Sequence, residues 1–446
     1  MLSLVGSTRI SQSLTPVVRG VSSPLRTNFA VAIRSQSMTR GHLPNFKNAM
    51  FLSTHNRAQS NGLEENRIVW VLGARGKVGQ ALRRKIAIEQ PDWKVIAINR
   101  SQLKRFSERE VCFSGFDLSD PDKVKTMLQK ASEASGEMVP TIVDATGYYH
   151  LGPDQDLEDY RNNNVMPVRN LLQAIDQSGL KVAHYIHMST IMVNQPSQNG
   201  GKLSLESPLV QSGHPYYVSK AEGEQVALKE RGNMKVTVLR LPGVYSDKCD
   251  HSALAMQIDG IRRKSLTSYF YPGRVQNGFT WSHMDDVVNA VNQCVIKGES
   301  LPEELVLFIG EENTTSYDEI QRAASKAFTG SEMLTLRVPK LLAKMGAYMM
   351  PFLPKNAGIP LTRSESESLS STAWFTRSAE ALLPRNPGIH PWMVDIAGAD
   401  YPLDISKTKE FLEWSPSKTL VKTLPKMAKH IESDPAKWCE DHGLRP

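Results

Sequence analysis

Along this chain the spacing of apolar residues switches repeatedly between a strand-like and a helix-like period. Ile68, Val69, Trp70, Val71 and Leu72 form an unbroken β-branched and aromatic run, the pattern of a strand covered on both faces. The run breaks into Gly73, Gly76 and Gly79, and apolar residues then return at helical spacing in Val78, Leu82 and Ile86. A second apolar run, 95–98, follows at the distance of a strand–helix–strand unit. Further strands are predicted at 111–116, 141–145, 182–188 and 235–241. A helix is predicted over about 157–178, where Val165, Val168, Leu171, Leu172 and Ile175 share one face, and Ser119-Asp120-Pro121 reads as another helix start. This alternation predicts an α/β fold, a doubly wound parallel sheet of Rossmann type.

The glycines add chemistry to that pattern. Gly73 suits the tight turn, Gly76 lets backbone approach a pyrophosphate, and Gly79 lets the new helix lie close to the strand. The helix N-terminus then offers unpaired N–H groups to phosphate, so the stretch reads as a dinucleotide site. Asn99-Arg100 stands after the second strand, where an Asp or Glu would bind the ribose hydroxyls of NAD. The planar fork of Arg100, with Arg75 in the glycine loop, suits a 2′-phosphate instead. NADP is therefore the expected cofactor and NAD the alternative. Asp117 either accepts from an adenine amino group or closes a turn. Thr146 and Gly147, after the fourth strand, are small enough for backbone to lie against a cofactor, and Ser189-Thr190 falls at the carboxyl end of the fifth. Tyr216 and Lys220 are four positions apart and share a helix face.

Composition changes the picture at one end. The chain has 446 residues, 40% hydrophobic and 22% charged, enough to bury a large core. Residues 1–63 hold no Asp or Glu but carry Arg9, Arg19, Arg26, Arg34, Arg40, Lys47 and Arg57, which is transit-peptide composition. Without those seven, the 53 basic residues become 46 against 46 acidic ones, so the remainder has no global field for nucleic acid or an anionic membrane. The leader is expected to direct the chain to the mitochondrion, with the plastid as alternative. Cys112, Cys249, Cys294 and Cys439 form no close pair, so neither a disulfide framework nor a metal site is expected. The longest apolar stretch, 341–353, holds Lys344, Gly346 and Pro351 and falls short of the ~20 residues a bilayer requires.

Several segments together resemble the extended short-chain dehydrogenase/reductases, the NAD-dependent epimerase/dehydratase-like proteins, over roughly 66–431. They are the Gly73/Gly76/Gly79 loop, Asp117-Leu118, the Asn164-Val-Met-Pro-Val-Arg-Asn-Leu-Leu helix, Ser189-Thr190, Tyr216/Lys220, Leu239-Arg-Leu-Pro-Gly-Val-Tyr245 and His283-Met-Asp-Asp286. Phe308-Ile-Gly-Glu and the segment from Asp404 to Pro416 follow in the same order. The resemblance implies an NAD(P)-binding Rossmann domain over 64–250 and a smaller, discontinuous substrate lobe with returning Rossmann elements over 251–432. Residues 433–446 are expected to be a tail. It further implies a cofactor site made by Gly73, Arg75, Gly76, Lys77, Val78, Gly79, Asn99, Arg100, Asp117, Leu118, Ala145, Thr146, Gly147, Tyr216, Lys220, Leu241, Pro242 and Val244. The substrate would be a small molecule, and a homodimer is a candidate assembly.

Hydride transfer at a carbon bearing oxygen also needs a proton moved on that oxygen. A tyrosine with a lysine ammonium about 4 Å away would have its pKa lowered by about three units. Tyr216 is thus the expected acid/base, Lys220 its tuner and a contact for the nicotinamide ribose. Thr190, with Ser189 as near alternative, would hold the substrate oxygen, and Asn164 would support a water relay. His283 and Asp285 are expected to cap a helix. Sugar-nucleotide members carry an Arg where this chain has Gly278, with Arg274 in a different register. The insert 334–400 is either an apolar lid or, at 341–350, a helical packing face. The leading expectation is an NAD(P)-dependent oxidoreductase acting on a hydroxyl or ketone of an unidentified substrate, for which an apolar molecule is one candidate. A nucleotide-sugar epimerase/dehydratase and a non-catalytic, cofactor-bearing subunit of a mitochondrial assembly are the alternatives.

Overall fold

Continuous apolar runs become interior strands here because helices cover both faces of the sheet. The computed structural model describes residues 67–149, 156–197, 200–275, 277–349, 394 and 399–444; the leader and most of the 334–400 insert fall outside them. Strands β1 (Ile68–Leu72), β2 (Lys94–Asn99), β3 (Glu110–Ser114), β4 (Thr141–Asp144), β5 (His184–Thr190) and β6 (Lys235–Leu241) are joined by a last strand, Glu304–Phe308. Their order is β3-β2-β1-β4-β5-β6 with Glu304–Phe308 beside β6, and every pairing is parallel. Leu72 lies opposite Ile98 on one side and Asp144 on the other, so the order reverses between β1 and β4. Open α/β sheets place ligands at such a reversal, outside the carboxyl ends.

Alternation along β1 divides the core. Val69 and Val71 pack with Leu82 and Ile86 of α1 (Lys77–Glu89) and Val287 and Val291 of α7 (Met284–Lys297). Trp70 and Leu72 pack on the opposite face with Leu171 and Leu172, where the Trp70 indole donates to Ser135 Oγ at 2.9 Å. The helix expected over 157–178 is two helices, α3 (Leu157–Asn164) and α4 (Met166–Ser178). Pro167 has no N–H to continue the first into the second. The fifth strand starts later than expected and runs through Ser189 and Thr190.

The lobe has its own core, built by Leu254 and Ile258 of α6 (Ser252–Arg262), Ile320 of α8 (Tyr317–Thr329) and Leu424, Met427, Trp438 and Cys439. The stretch expected as a tail therefore carries a helix, Pro435–Asp441, with Trp438 and Cys439 buried. Residues Lys340–Met349 are helical, but Leu341, Leu342 and Met345 are exposed rather than packed. The four cysteines are free. Among the described residues no helix is long and apolar enough to cross a membrane, and no cluster of metal-ligating side chains occurs.

Candidate functional site

The glycine loop has the backbone its sequence calls for. Gly73 has φ +68°, and a Cβ there would meet Ala145 O at 2.6 Å. At Gly79 a Cβ would meet Gly73 O at 2.5 Å, so that glycine is what lets α1 start so close to the turn. Gly76 is exposed at the N-cap of α1, which has no side-chain cap. The first-turn N–H groups at Lys77 and Val78 thus lie at an uncapped helix end, the kind of place where an anion is favoured. The Lys77 ammonium reaches across to donate to Asp250 O. Ala145 N donates to Leu72 O at 3.1 Å, tying the segment after β4 to the end of β1. Thr146 is anchored through its N–H to Asp144 Oδ1 at 3.0 Å.

Beyond β2, Arg75 and Arg100 are exposed on the same side of the sheet's end. With its amide turned so that the oxygen faces the following turn, Asn99 accepts from Arg100 N at 3.1 Å and Ser101 N at 2.9 Å, which closes the chain onto itself there. Arg100 Nη1 lies 3.4 Å from Asp117 Oδ2. Asp117 also accepts from Ser119 N (3.1 Å) and Ser119 Oγ (2.7 Å), so it does close a turn. Partial burial acts to raise its pKa, but the Ser119 and Arg100 bonds outweigh that and leave it below the usual range. Leu118 is buried, and its carbonyl accepts from Asn170 Nδ2 at 3.1 Å.

Strand alternation separates the two hydroxyls of β5. Ser189 Oγ donates to Glu224 Oε2 at 2.7 Å, inside a buried network in which Arg240 pairs with Glu224 at 2.5 Å and donates to Asn194 Oδ1 at 3.1 Å. Thr190 points the other way, its Oγ1 accepting from Met192 N at 3.3 Å, and is near enough to act on the Tyr216 hydroxyl. Tyr216 and Lys220 lie on α5 (Pro215–Lys229), whose N-cap is His214. The expected tuning of the tyrosine is not what this geometry gives. Lys220 Nζ donates to Met188 O at 2.7 Å, and it is not among the groups that act on Tyr216. Burial pushes the Tyr216 hydroxyl up to about 12, Thr190 acts to lower it, and Tyr160 adds to the rise. Lys220 is itself lowered by burial, with Asp144 and Glu224 opposing.

Asn164 ends α3 and spends its amide on structure. Its Oδ1 accepts from Tyr148 N at 2.7 Å, and its Nδ2 donates to Tyr148 O at 3.1 Å and Ser219 Oγ at 3.0 Å. Ser219 Oγ donates in turn to Tyr216 O at 2.9 Å. Helix α5 comes this close because residue 223 is glycine: a Cβ there would meet Asn164 O at 2.6 Å. Around Tyr216 the rings of Tyr149 (4.8 Å) and Tyr160 (6.2 Å) build an aromatic wall.

At the end of β6, Leu241 is buried and the ring of Pro242 packs near Gly310, while Val244 pairs with Ser282. His283 caps α7 by accepting from Asp285 N at 3.1 Å, as expected. Gly278 has no room for a side chain, since a Cβ would meet Thr315 O at 2.3 Å. Its neighbour Phe279 stacks on Tyr401 at 5.2 Å, and Arg274 is exposed. Sequence reasoning missed three buried groups: the Arg83–Glu110 pair, the Glu224–Arg240 pair and Asp144 with His187. Glu224 continues the Tyr216, Lys220 stripe by one more turn and was within reach of the helical period.

Residues 69–310 match the model of the NAD dependent epimerase/dehydratase family. Among solved structures, UDP-glucuronic acid 4-epimerase from Bacillus cereus is similar at 17% identity and TM-score 0.57, covering 82% of this chain and 99% of that one. The dTDP-glucose 4,6-dehydratase from Bacillus anthracis str. Ames is similar at 15% identity and TM-score 0.56, covering 84% and 99%. UDP-glucose 4-epimerase from Thermus thermophilus is similar at 16% and 0.55, covering 82% and 99%. All three were solved with NAD. No curated protein matches the sequence.

Proposed function

Because the chain belongs to the NAD-dependent epimerase/dehydratase family, whose members are enzymes that use a nicotinamide dinucleotide, we propose a specific division of labour at this site. Tyr216 moves the proton on the substrate oxygen, Thr190 holds that oxygen, and Lys220 contacts the cofactor ribose. The observation that carries this is the placing of Tyr216 and Thr190 together at the carboxyl end of β5, one strand from the reversal of order. When bound, the nicotinamide supplies or takes the hydride. The glycine loop, Ala145, Thr146, Gly147, Leu241, Pro242 and Val244 would hold the dinucleotide, and Asp117 the adenine. Ser189, bonded to Glu224, supports the strand end and Asn164 fixes Tyr148.

The cofactor preference we propose is NADP(H), supported by exposed Arg75 and Arg100 and by Asn99 at the end of β2. An apolar hydroxyl or ketone is the proposed substrate, supported by the aromatic wall, the Phe279–Tyr401 stack and a Gly278 backbone too tight for a cationic side chain. Nucleotide-sugar epimerisation or dehydration is the second reading, favoured by what the similar structures bind. A mitochondrial location rests on the composition of residues 1–63. The homodimer rests on the resemblance alone, and light scattering tests it.

The decisive experiment replaces one oxygen. Tyr216→Phe should leave NADPH affinity nearly unchanged and reduce turnover by roughly 10²–10⁴-fold. Tyr217→Phe, about 100° around the helix, should stay active. Turnover is followed by NADPH absorbance on a panel of apolar ketones, with sugar nucleotides assayed separately for epimerisation. An active Tyr216→Phe protein places the chemistry elsewhere. Arg100→Ala should weaken NADPH more than NADH in a fluorescence titration, and equal weakening of both removes the case for a 2′-phosphate.

A further inference from the structure

One guanidinium lies beneath the segment that follows β2. Arg83, on the inner face of α1, is 1% exposed and donates from Nε to Glu110 Oε1 at 2.6 Å, from Nη1 to Ala74 O at 2.8 Å and from Nη2 to Lys104 O at 2.6 Å, with a longer bond to Cys112 Sγ at 3.8 Å. Glu110, 2% exposed at the start of β3, uses its other oxygen to accept from Phe106 N at 2.6 Å. The Phe106 ring closes the arrangement from above, 4.5 Å from the Arg83 guanidinium and 5.0 Å from that of Arg84. Ala74 belongs to the glycine loop, whereas Lys104 and Phe106 belong to the segment 100–106. The pair thus bonds two loops that no strand or helix ladder joins.

A buried ion pair is weak evidence for stability, because apolar residues of similar volume often hold a fold as well or better. What they cannot do is aim. The pair holds two carbonyls and one N–H in fixed directions, and 100–106 has neither helix nor strand of its own to set its shape. The two loops carry Arg75 on one side and Arg100 and Lys104 on the other, all three exposed.

We propose that the Arg83–Glu110 pair is a positioning device for cofactor discrimination, fixing the 100–106 segment against the glycine loop so that Arg75, Arg100 and Lys104 converge on a phosphomonoester of the adenosine ribose. This rests on reading the end of β2 as the adenosine site. A loosened segment keeps its charges but loses their common geometry, so a 2′-phosphate loses affinity while a ribose with free hydroxyls loses little.

The test uses the full chain with Arg83→Met/Glu110→Leu, which removes both charges at once. NADPH and NADH are titrated by fluorescence, and the cofactor-free protein is digested with trypsin at the Lys104 and Arg105 bonds. The double variant should fold, be cut faster at those bonds, and lose at least about tenfold of its NADPH-over-NADH preference, the size of one charge-assisted hydrogen bond. Glu110→Gln keeps the shape with one acceptor oxygen fewer, and gives the same shift in smaller measure if the double variant does not fold. A parent that prefers NADPH and variants that prefer it equally, with unchanged cleavage, overturn the strut. A parent that binds NADH as tightly as NADPH overturns the cofactor reading and the inference with it.

Discussion

Two buried carboxylates at the carboxyl side of the sheet have opposite fates. Asp144 ends β4 beside the glycine loop, and Glu311 lies just past Glu304–Phe308, where the lobe meets the sheet; they are 1% and 3% exposed. Burial acts to raise both. At Asp144 it is outweighed by bonds from His187 (3.1 Å), Thr146 and Tyr185 (2.7 Å), which hold the carboxyl well below the usual range. Glu311 receives only Tyr245 Oη (3.1 Å) and Leu420 N (3.0 Å), both on one oxygen. With the Asp286 charge nearby, burial wins and lifts it to about 7. Donor count, more than depth, decides which buried acid is charged at neutral pH.

The harshest way to break that contrast is Asp144→Ala. Tyr185 and His187 would be left buried without their acceptor and half-buried Thr146 would lose its own, and a stability loss of about 3–5 kcal/mol is expected in urea unfolding at neutral pH. A loss below about 1 kcal/mol would mean that the donors find other partners.

Glu311→Gln should act in the opposite sense. The folded pKa of Glu311 is about 7 against an ordinary 4.5, so folding favours its protonated form. Its contribution is full below the ordinary value and is lost as pH rises to about 7. The glutamine variant should therefore match the parent near pH 4 and exceed it by up to about 3 kcal/mol at pH 8. Unfolding curves at the two pH values decide, and a gain that does not vary with pH refutes the assignment.

The smallest expected effect sharpens the comparison. Tyr245→Phe takes away one of the two donors of Glu311, which should cost about 1 kcal/mol at pH 8 and less at pH 5, where a protonated Glu311 depends on that donor less. Equal losses at both pH values would assign the cost to packing of the Tyr245 ring against His283, 5.2 Å away.

The sheet was legible in the sequence because period and glycine spacing are local properties. A run such as 68–72 followed by Gly73, Gly76 and Gly79 carries its strand, turn and helix within a dozen residues. The stripe joining Tyr216 to Lys220 is equally local. What the stripe could not reveal is where the lysine points: burial against β5 gives its ammonium to Met188 O, and the tyrosine is raised rather than lowered. The choice between Ser189 and Thr190 needed the strand's exact faces, and a boundary misplaced by two residues hid it. Arg83 and Glu110 are 27 positions apart and each reads as an ordinary surface charge. Their meeting is a property of the packed sheet and is invisible to any window of sequence.

The clasp between Asn164 and Tyr148 has a use beyond holding the loop. A side chain occupies both the N–H and the C=O of one loop residue, at 2.7 and 3.1 Å, in a stretch that lacks any ladder of its own. The amide hydrogen of Tyr148 should thus exchange with solvent slowly although the residue is only half-buried. It is a built-in reporter: the exchange rate at this single position measures how often the loop after β4 leaves α3, without a substrate or a mutation.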